Sequence, residues 1–96
     1  MPEATVEIVN KKGLHARAAA KFVKIVATYN ARVQVTKLVR DGEEELPAVN
    51  GGSILGLMML GADAGTKLHV VAEGKQADAL LTALRTLVAK KFGEGE

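Results

Sequence analysis

The chain has 96 residues, a length that favours a single domain over residues 1–96. Nearly half of the residues are apolar, only three are aromatic, and basic residues exceed acidic ones by two. This composition argues against nucleic-acid binding, which relies on basic patches and aromatic stacking. Cysteine is absent, and no apolar run approaches the roughly 20 residues of a membrane-spanning helix. We therefore expect a cytoplasmic protein without disulfides, membrane insertion, metal ion or cofactor.

A strand and a helix are predicted first. Residues 4–9 alternate in polarity, with Val6 and Ile8 on one face of a strand. A polar loop over residues 10–13 leads to a helix over residues 16–28. The apolar side chains of this helix recur at helical spacing and form one stripe: Ala19, Phe22, Val23 and Val26.

The middle of the chain is predicted to form a hairpin. Residues 32–39 make the second strand, and Asp41-Gly42 is a strong turn signal. The return strand is predicted over residues 43–49, where Pro47 indicates an edge position or a break in the ladder.

A short helix and a fourth strand follow. Ser53 precedes a helix over residues 54–60 as its N-cap, and Gly61 can close this helix in a left-handed conformation. The fourth strand covers residues 67–72, with Leu68 and Val70 facing inward.

The last helix completes the element order. Residues 75–91 carry a wide apolar stripe, and residues 93–96 are expected to be a frayed acidic tail. The stripe consists of Ala77, Leu80, Leu81, Leu84, Leu87 and Val88. The resulting order, β-α-β-β-α-β-α, predicts an α+β sandwich in which three helices cover one face of a four-stranded antiparallel sheet.

His15 lies just before the first helix, and Arg17 lies in its first turn. The first N–H groups of a helix have no partner inside it, so the amides of Ala16, Arg17 and Ala18 can bind an anion. Arg17 adds a planar cationic fork that suits phosphate oxygens. A neutral imidazole supplies a nucleophilic lone pair, so His15 can take up a phosphoryl group. From these residues alone, an ordinary exposed histidine beside a helix is an equally good interpretation.

The segment Gly13-Leu14-His15-Ala16-Arg17 closely resembles the active-site signature of the HPr phosphocarriers of the bacterial phosphotransferase system. Residues 53–61 and the Gly65-Thr66 pair also resemble that family, and the resemblance covers nearly the whole chain. It implies the open-faced β-sandwich of that family, with four antiparallel strands and three helices.

The resemblance implies a phosphoryl carrier that does not turn over on its own. The histidine matching His15 accepts a phosphoryl group on Nδ1 from Enzyme I and passes it to IIA-type proteins, assisted by the arginine matching Arg17. Family members usually have proline where this chain has Ala18, and alanine restores an N–H group and frees the unfolded chain. We expect phosphoryl transfer to survive this change, and we expect a monomer.

Ser53 has two interpretations. As an N-cap it would stabilise the fold by about 1 kcal/mol. In some HPr proteins the matching serine is phosphorylated by an HPr kinase/phosphorylase, so the resemblance makes Ser53 a candidate regulatory phosphorylation site.

The short helix after Ser53 has more apolar residues than one buried face needs. Leu57 and Leu60 are expected in the core, while Met59 leans outward. The partner surface is assigned to Ile54, Leu55 and Met58, because exposed methionines make adaptable contacts and the family docks partners beside its histidine.

Other polar residues carry weaker signals. His69 in the fourth strand is expected to face solvent or a neighbouring strand, not a metal ion. Lys21 and Lys24 either support acidic partners or are ordinary solvated lysines. The acidic residues 41–45 are expected to form a solvated turn that can tune partner choice.

Two other functions stay open. Residues 46–60 resemble the nitrogen-regulatory branch of the family somewhat more than the sugar-transport branch, in which case phosphohistidine would act as a signal. An acylphosphatase-like α+β enzyme would need a second catalytic polar group near Arg17, and the Ala-rich surroundings offer none.

Overall fold

The computed structural model describes residues 2–39 and 41–93. In this part of the chain, four strands and three helices follow one another in the predicted order. The strands are β1 (Glu3–Glu7), β2 (Arg32–Lys37), β3 (Val49–Asn50) and β4 (Lys67–Glu73). The helices are α1 (Ala16–Thr28), α2 (Ile54–Met59) and α3 (Ala77–Ala89).

The strands form an antiparallel sheet in the order β1-β4-β2-β3. β4 pairs with both β1 and β2, and the registers place Val6 opposite Leu68 and Val35 opposite Val70. These four side chains are buried, whereas alternate residues of the same strands, such as Glu7, are exposed. One face of the sheet therefore packs against the helices, which confirms the α+β open-faced sandwich expected from the sequence.

The core is built from aliphatic side chains and two phenylalanines, Phe22 and Phe92. Fully burying one such large apolar side chain contributes roughly 1.5–3 kcal/mol. Two members of the predicted helical stripes, Val23 of α1 and Leu87 of α3, are only half-buried because they lie at the margin of the core. The other stripe residues are buried as predicted: Ala19, Phe22, Val26, Ala77, Leu80, Leu81, Leu84 and Val88.

Three of the four predicted strands were too long at one end, whereas β4 continues one residue beyond its predicted end, to Glu73. β1 stops at Glu7, β2 stops at Lys37, and the return strand is confined to Val49–Asn50 at the sheet edge. Pro47 lacks the N–H that a ladder needs, and the exposed acidic residues 43–45 have no apolar face to bury. The Asp41-Gly42 turn is present as predicted, with a φ of +86° at Gly42.

The last helix is also shorter than predicted. It begins at Ala77, after Gly74 bends the chain with a φ of +132°, and it ends at Ala89. Gly93 is exposed beyond it, and the rest of the predicted acidic tail, residues 94–96, lies outside the described residues.

Lys91 and Phe92 explain the early end of α3. Both adopt left-handed backbone conformations, with φ values of 56° and 55°, which costs roughly 1–2 kcal/mol per L-residue. This turn buries the Phe92 ring completely. Its carbonyl oxygen accepts a hydrogen bond from Nζ of Lys21 on α1. Lys21 is therefore half-buried and links α1 to the turn that follows α3, so it is not an ordinary solvated lysine.

Candidate functional site

The loop that leads into α1 depends on Gly13. This residue has a φ of +71°, and a Cβ atom built on it would lie 2.5 Å from the carbonyl oxygen of Ala62. A side chain is therefore excluded both by backbone conformation and by space. The chain can pass this closely beneath residues 62–63 only because position 13 is glycine.

The segment 62–66 anchors both ends of the loop. The N–H of Ile8 donates to Thr66 O at 2.8 Å, and the N–H of Gly65 returns a bond to Ile8 O at 2.7 Å. At the other end, the N–H of Leu14 donates to Ala62 O at 2.8 Å, and the Leu14 side chain is buried. His15 therefore follows directly on a residue that is fixed by both its backbone and its side chain.

His15 is the N-cap residue of α1, with extended backbone angles of φ −83° and ψ −178°. Its carbonyl oxygen accepts the first helical hydrogen bond, from Ala19 N at 2.8 Å. Within the described residues, its side chain makes no capping hydrogen bond to the first turn, and its ring is half-exposed. The imidazole therefore lies at the helix end without capping the first-turn amides, which have no partner inside the helix.

The first turn of α1 has the electrostatics that an anion requires. Ala16 and Arg17 are exposed, and the described first turn contains no acidic residue. The Ala18 side chain is completely buried, so only its backbone N–H can face a bound group. Unpaired first-turn amides and the helix dipole both favour negative charge here.

Ser53 caps α2, as the sequence predicts. Its Oγ accepts a hydrogen bond from Gly56 N at 3.0 Å, and its side chain is half-buried. A Cβ on Gly56 would lie 3.3 Å from this Oγ, so the missing side chain makes room for the cap.

The exposed side of α2 is apolar. Leu57 and Leu60 face the core, as predicted. The exposed fractions of the other large side chains are 41% for Ile54, 70% for Leu55, 43% for Met58 and 70% for Met59. Sequence reasoning left Met59 out of the partner surface, although it is as exposed as Leu55. α2 packs against α1, so this apolar patch lies on the helix next to the one that His15 caps.

The remaining polar residues do not join this site. His69 places Nε2 at 2.9 Å from Glu3 Oε1, so it makes the cross-strand contact that was one of its expected environments. Residues 41–45 are all exposed, in agreement with a solvated turn. No group of three or more His, Cys, Asp or Glu side chains suited to a metal ion occurs in residues 2–39 and 41–93.

Comparison with known proteins identifies the family. The family model described as "PTS HPr component phosphorylation site" matches residues 2–90. The chain belongs to the HPr family of the phosphotransferase system. It is 46% identical over 96 residues to the Pseudomonas aeruginosa phosphocarrier protein HPr, covering 100% of both chains.

Two further HPr-family comparisons agree. The crystal structure of HPr-C-His from Thermoanaerobacter tengcongensis superposes with a TM-score of 0.82 at 39% identity, covering 98% of each chain. The Shewanella violacea phosphocarrier protein NPr is 38% identical over 92 residues, which is 96% of this chain and 93% of that one. In the described part of the chain, no helix is both long and apolar enough to cross a membrane.

Proposed function

We propose that this chain accepts a phosphoryl group from phospho-Enzyme I on His15 and passes it to IIA-type proteins. The observation that carries the proposal is the half-exposed imidazole at the N-terminus of α1, which does not itself cap the first-turn amides in the described structure. The family match, whose description names a phosphorylation site, supports a phosphorylated residue in this chain.

The chemistry needs few groups. With the ring proton on Nε2, the lone pair of Nδ1 attacks phosphorus, the Nδ1–P bond forms, and the donor's bond to phosphorus breaks with its electron pair returning to the donor. The amides of Ala16, Arg17 and Ala18 and the Arg17 guanidinium then face the phosphoryl oxygens. Catalysis of such a transfer is mainly positioning and charge stabilisation, and a short helix end can supply both.

Partner docking is assigned to the exposed side of α2. Ile54, Leu55, Met58 and Met59 form an apolar patch beside α1, and flexible methionines can adapt to more than one partner surface. A carrier must leave each partner, so a small and short-lived interface is expected. We propose a cytoplasmic, monomeric carrier that forms one domain.

The relay is tested by a chase experiment. The protein is phosphorylated with Enzyme I and phosphoenolpyruvate, freed from Enzyme I, and mixed with a IIA protein. Transfer of the phosphate to IIA supports the carrier function. Steady release of inorganic phosphate from a small acyl phosphate, without any partner, would instead support the acylphosphatase-like alternative.

Ser53 is proposed as a second, regulatory phosphorylation site. The Oγ of half-buried Ser53 accepts from Gly56 N, so a phosphoryl group there would alter this cap and would place a dianion beside the apolar patch of α2. Treatment with an HPr kinase/phosphorylase and ATP, followed by mass spectrometry, tests this role. An unmodified Ser53 after complete modification of a control HPr would contradict it.

The branch of the family is decided by the acceptor. The resemblance of residues 46–60 favours a nitrogen-regulatory role, and sugar transport is the alternative. Comparing the rates of transfer from phosphorylated His15 to a nitrogen-regulatory IIA and to a sugar-specific IIA separates the two.

A further inference from the structure

Asn10 is a buried polar residue that the proposed phosphoryl transfer does not use. Its exposed fraction is 0%. Among residues 2–39 and 41–93, no other polar or charged residue is buried. Burying an amide is unfavourable unless it makes hydrogen bonds, so a fully enclosed asparagine usually has a specific structural task.

The side chain of Asn10 closes the turn that leads to His15. Its Nδ2 donates to Gly13 O at 2.8 Å, and Gly13 N donates to Asn10 O at 3.2 Å. Lys11 and Lys12 lie at the centre of this turn and are exposed. Because only the amide nitrogen can donate to a carbonyl, the orientation of the Asn10 side chain is unambiguous.

These contacts fix a particular peptide unit, the one between Gly13 and Leu14. Its oxygen is held by Asn10 Nδ2, and its N–H donates to Ala62 O at 2.8 Å. A peptide unit is planar, so holding both its oxygen and its N–H leaves it no freedom to rotate. His15 comes directly after Leu14, so fixing this peptide fixes the backbone that leads into the histidine.

We propose that Asn10 is a positioning residue for phosphoryl transfer: it fixes the Gly13–Leu14 peptide and thereby the approach of His15 to the phosphoryl donor. This inference rests on the proposed function. A displacement of about 1 Å at a reacting group can cost roughly 100-fold in rate, so a contact one peptide away from the nucleophile can govern transfer.

The test compares two Asn10 variants with a core variant. Asn10→Asp keeps the size of the side chain but turns an oxygen towards Gly13 O, and Asn10→Ala removes the contact. Val88→Ala is the matched control, because Val88 is 2% exposed and lies on α3, outside the loop. For each protein, kcat and KM are measured for phosphorylation by Enzyme I with phosphoenolpyruvate.

Positioning predicts a selective loss of kcat. Both Asn10 variants should lose at least about tenfold in kcat. Their KM should stay within about twofold, because the apolar patch of α2 that docks the partner is unchanged. Val88→Ala should change neither constant, since a general loss of stability leaves the geometry of the loop intact. Nuclear magnetic resonance should also show faster exchange of the Leu14 amide in Asn10→Asp than in Val88→Ala.

Three results would overturn the inference. The first is an unchanged kcat in folded Asn10 variants, and the second is an equal loss in Val88→Ala. The third is that both Asn10 variants unfold at temperatures where Val88→Ala is folded, which would assign Asn10 to general stability. If the unaltered protein takes no phosphate on His15, the proposed function fails instead, and the Leu14 exchange comparison still tests whether Asn10 fixes the peptide.

Discussion

The N-termini of α1 and α2 meet the same physical requirement in opposite ways. Each helix begins with N–H groups that have no partner inside the helix. At α2 the N-cap side chain supplies one, because Ser53 Oγ accepts from Gly56 N at 3.0 Å. At α1 the His15 side chain makes no such cap in the described structure, and Arg17 lies exposed in the first turn. The N-cap side chain closes the start of α2, whereas the N-cap side chain of α1 leaves its first-turn amides uncapped, as the proposed phosphate site requires.

The turns before the two helices also differ, because the asparagine side chain is exposed in one and buried in the other. Asn50 Oδ1 accepts from Gly52 N at 2.7 Å in an exposed local turn, whereas Asn10 Nδ2 donates to Gly13 O inside the protein. The asparagine of the turn before α1 is therefore enclosed by the protein, whereas the asparagine of the turn before α2 is exposed. The comparison indicates that the proposed phosphorylation site combines a buried, hydrogen-bonded turn with an exposed surface.

The largest expected effect comes from Gly13→Ala. A left-handed alanine costs roughly 1–2 kcal/mol, and the clash with Ala62 O adds roughly 1–3 kcal/mol, so we expect a loss of roughly 2–5 kcal/mol in the free energy of unfolding. Gly61→Ala is the control, because Gly61 has a similar φ of +62° but a Cβ there meets nothing within 4 Å. Urea denaturation measures both. Equal losses would show that the close approach to Ala62 does not constrain the loop.

Arg17→Lys separates geometry from charge at the open helix end. Lysine keeps the positive charge but loses the planar fork, and a lost charge-assisted hydrogen bond is worth roughly 1.5–3 kcal/mol. We therefore expect phosphorylation by Enzyme I to slow by about 10- to 100-fold. Arg32→Lys on β2 is the control, since that side chain is 83% exposed and pairs with Glu73. An unchanged rate in Arg17→Lys would mean that any cation suffices.

Ser53→Ala probes the closed helix end. Loss of the cap should lower the free energy of unfolding by about 1 kcal/mol, measured by urea denaturation. The rate of phosphorylation at His15 should stay the same, because the open end at α1 is untouched. Ser53→Thr, which keeps a hydroxyl, should retain most of the stability. A slower phosphorylation in the folded Ser53→Ala protein would show that the two helix ends are coupled.

The smallest effect is expected for Ala18→Pro. The first helical hydrogen bond of α1 comes from Ala19 N, so proline at position 18 removes no bond from the helix. A gain of roughly 0.4–1 kcal/mol in the free energy of unfolding is expected from the stiffer unfolded chain. Ala19→Pro is the contrast, since it removes the bond to His15 O and should cost about 3 kcal/mol. Thermal denaturation distinguishes the two, and a loss at position 18 would indicate overpacking around this buried site.

Local patterns in the sequence determined much of this fold. The bounds of α1, the core positions of Leu57, Leu68 and Val70, and the cap at Ser53 all follow from periodicity and capping chemistry. They are found as predicted. The order of strands and helices could be predicted from these local signals alone, and it is confirmed in the described residues.

The features that were missed depend on contacts between distant residues. Nothing near Lys21 indicates that it binds the carbonyl of Phe92, 71 residues away. The polar loop was correctly placed, but the burial of Asn10 within it arises only when residues 62–66 pack behind it. The outward position of Met59 was predicted, and only its place in the partner surface was left out. The candidate nucleophile could thus be read from the sequence, whereas the structure that holds it could not.

The contrast between the two helix ends is tested most directly by identifying the phosphorylated residue. The protein is first allowed to react with Enzyme I and phosphoenolpyruvate. The protein is digested under neutral conditions that preserve phosphohistidine, and modified peptides are located by mass spectrometry, with His15→Ala as the control. The account predicts one phosphoryl group on His15, none on Ser53, and none on the His15→Ala protein. Phosphate on another residue, or uptake that survives in His15→Ala, would contradict it.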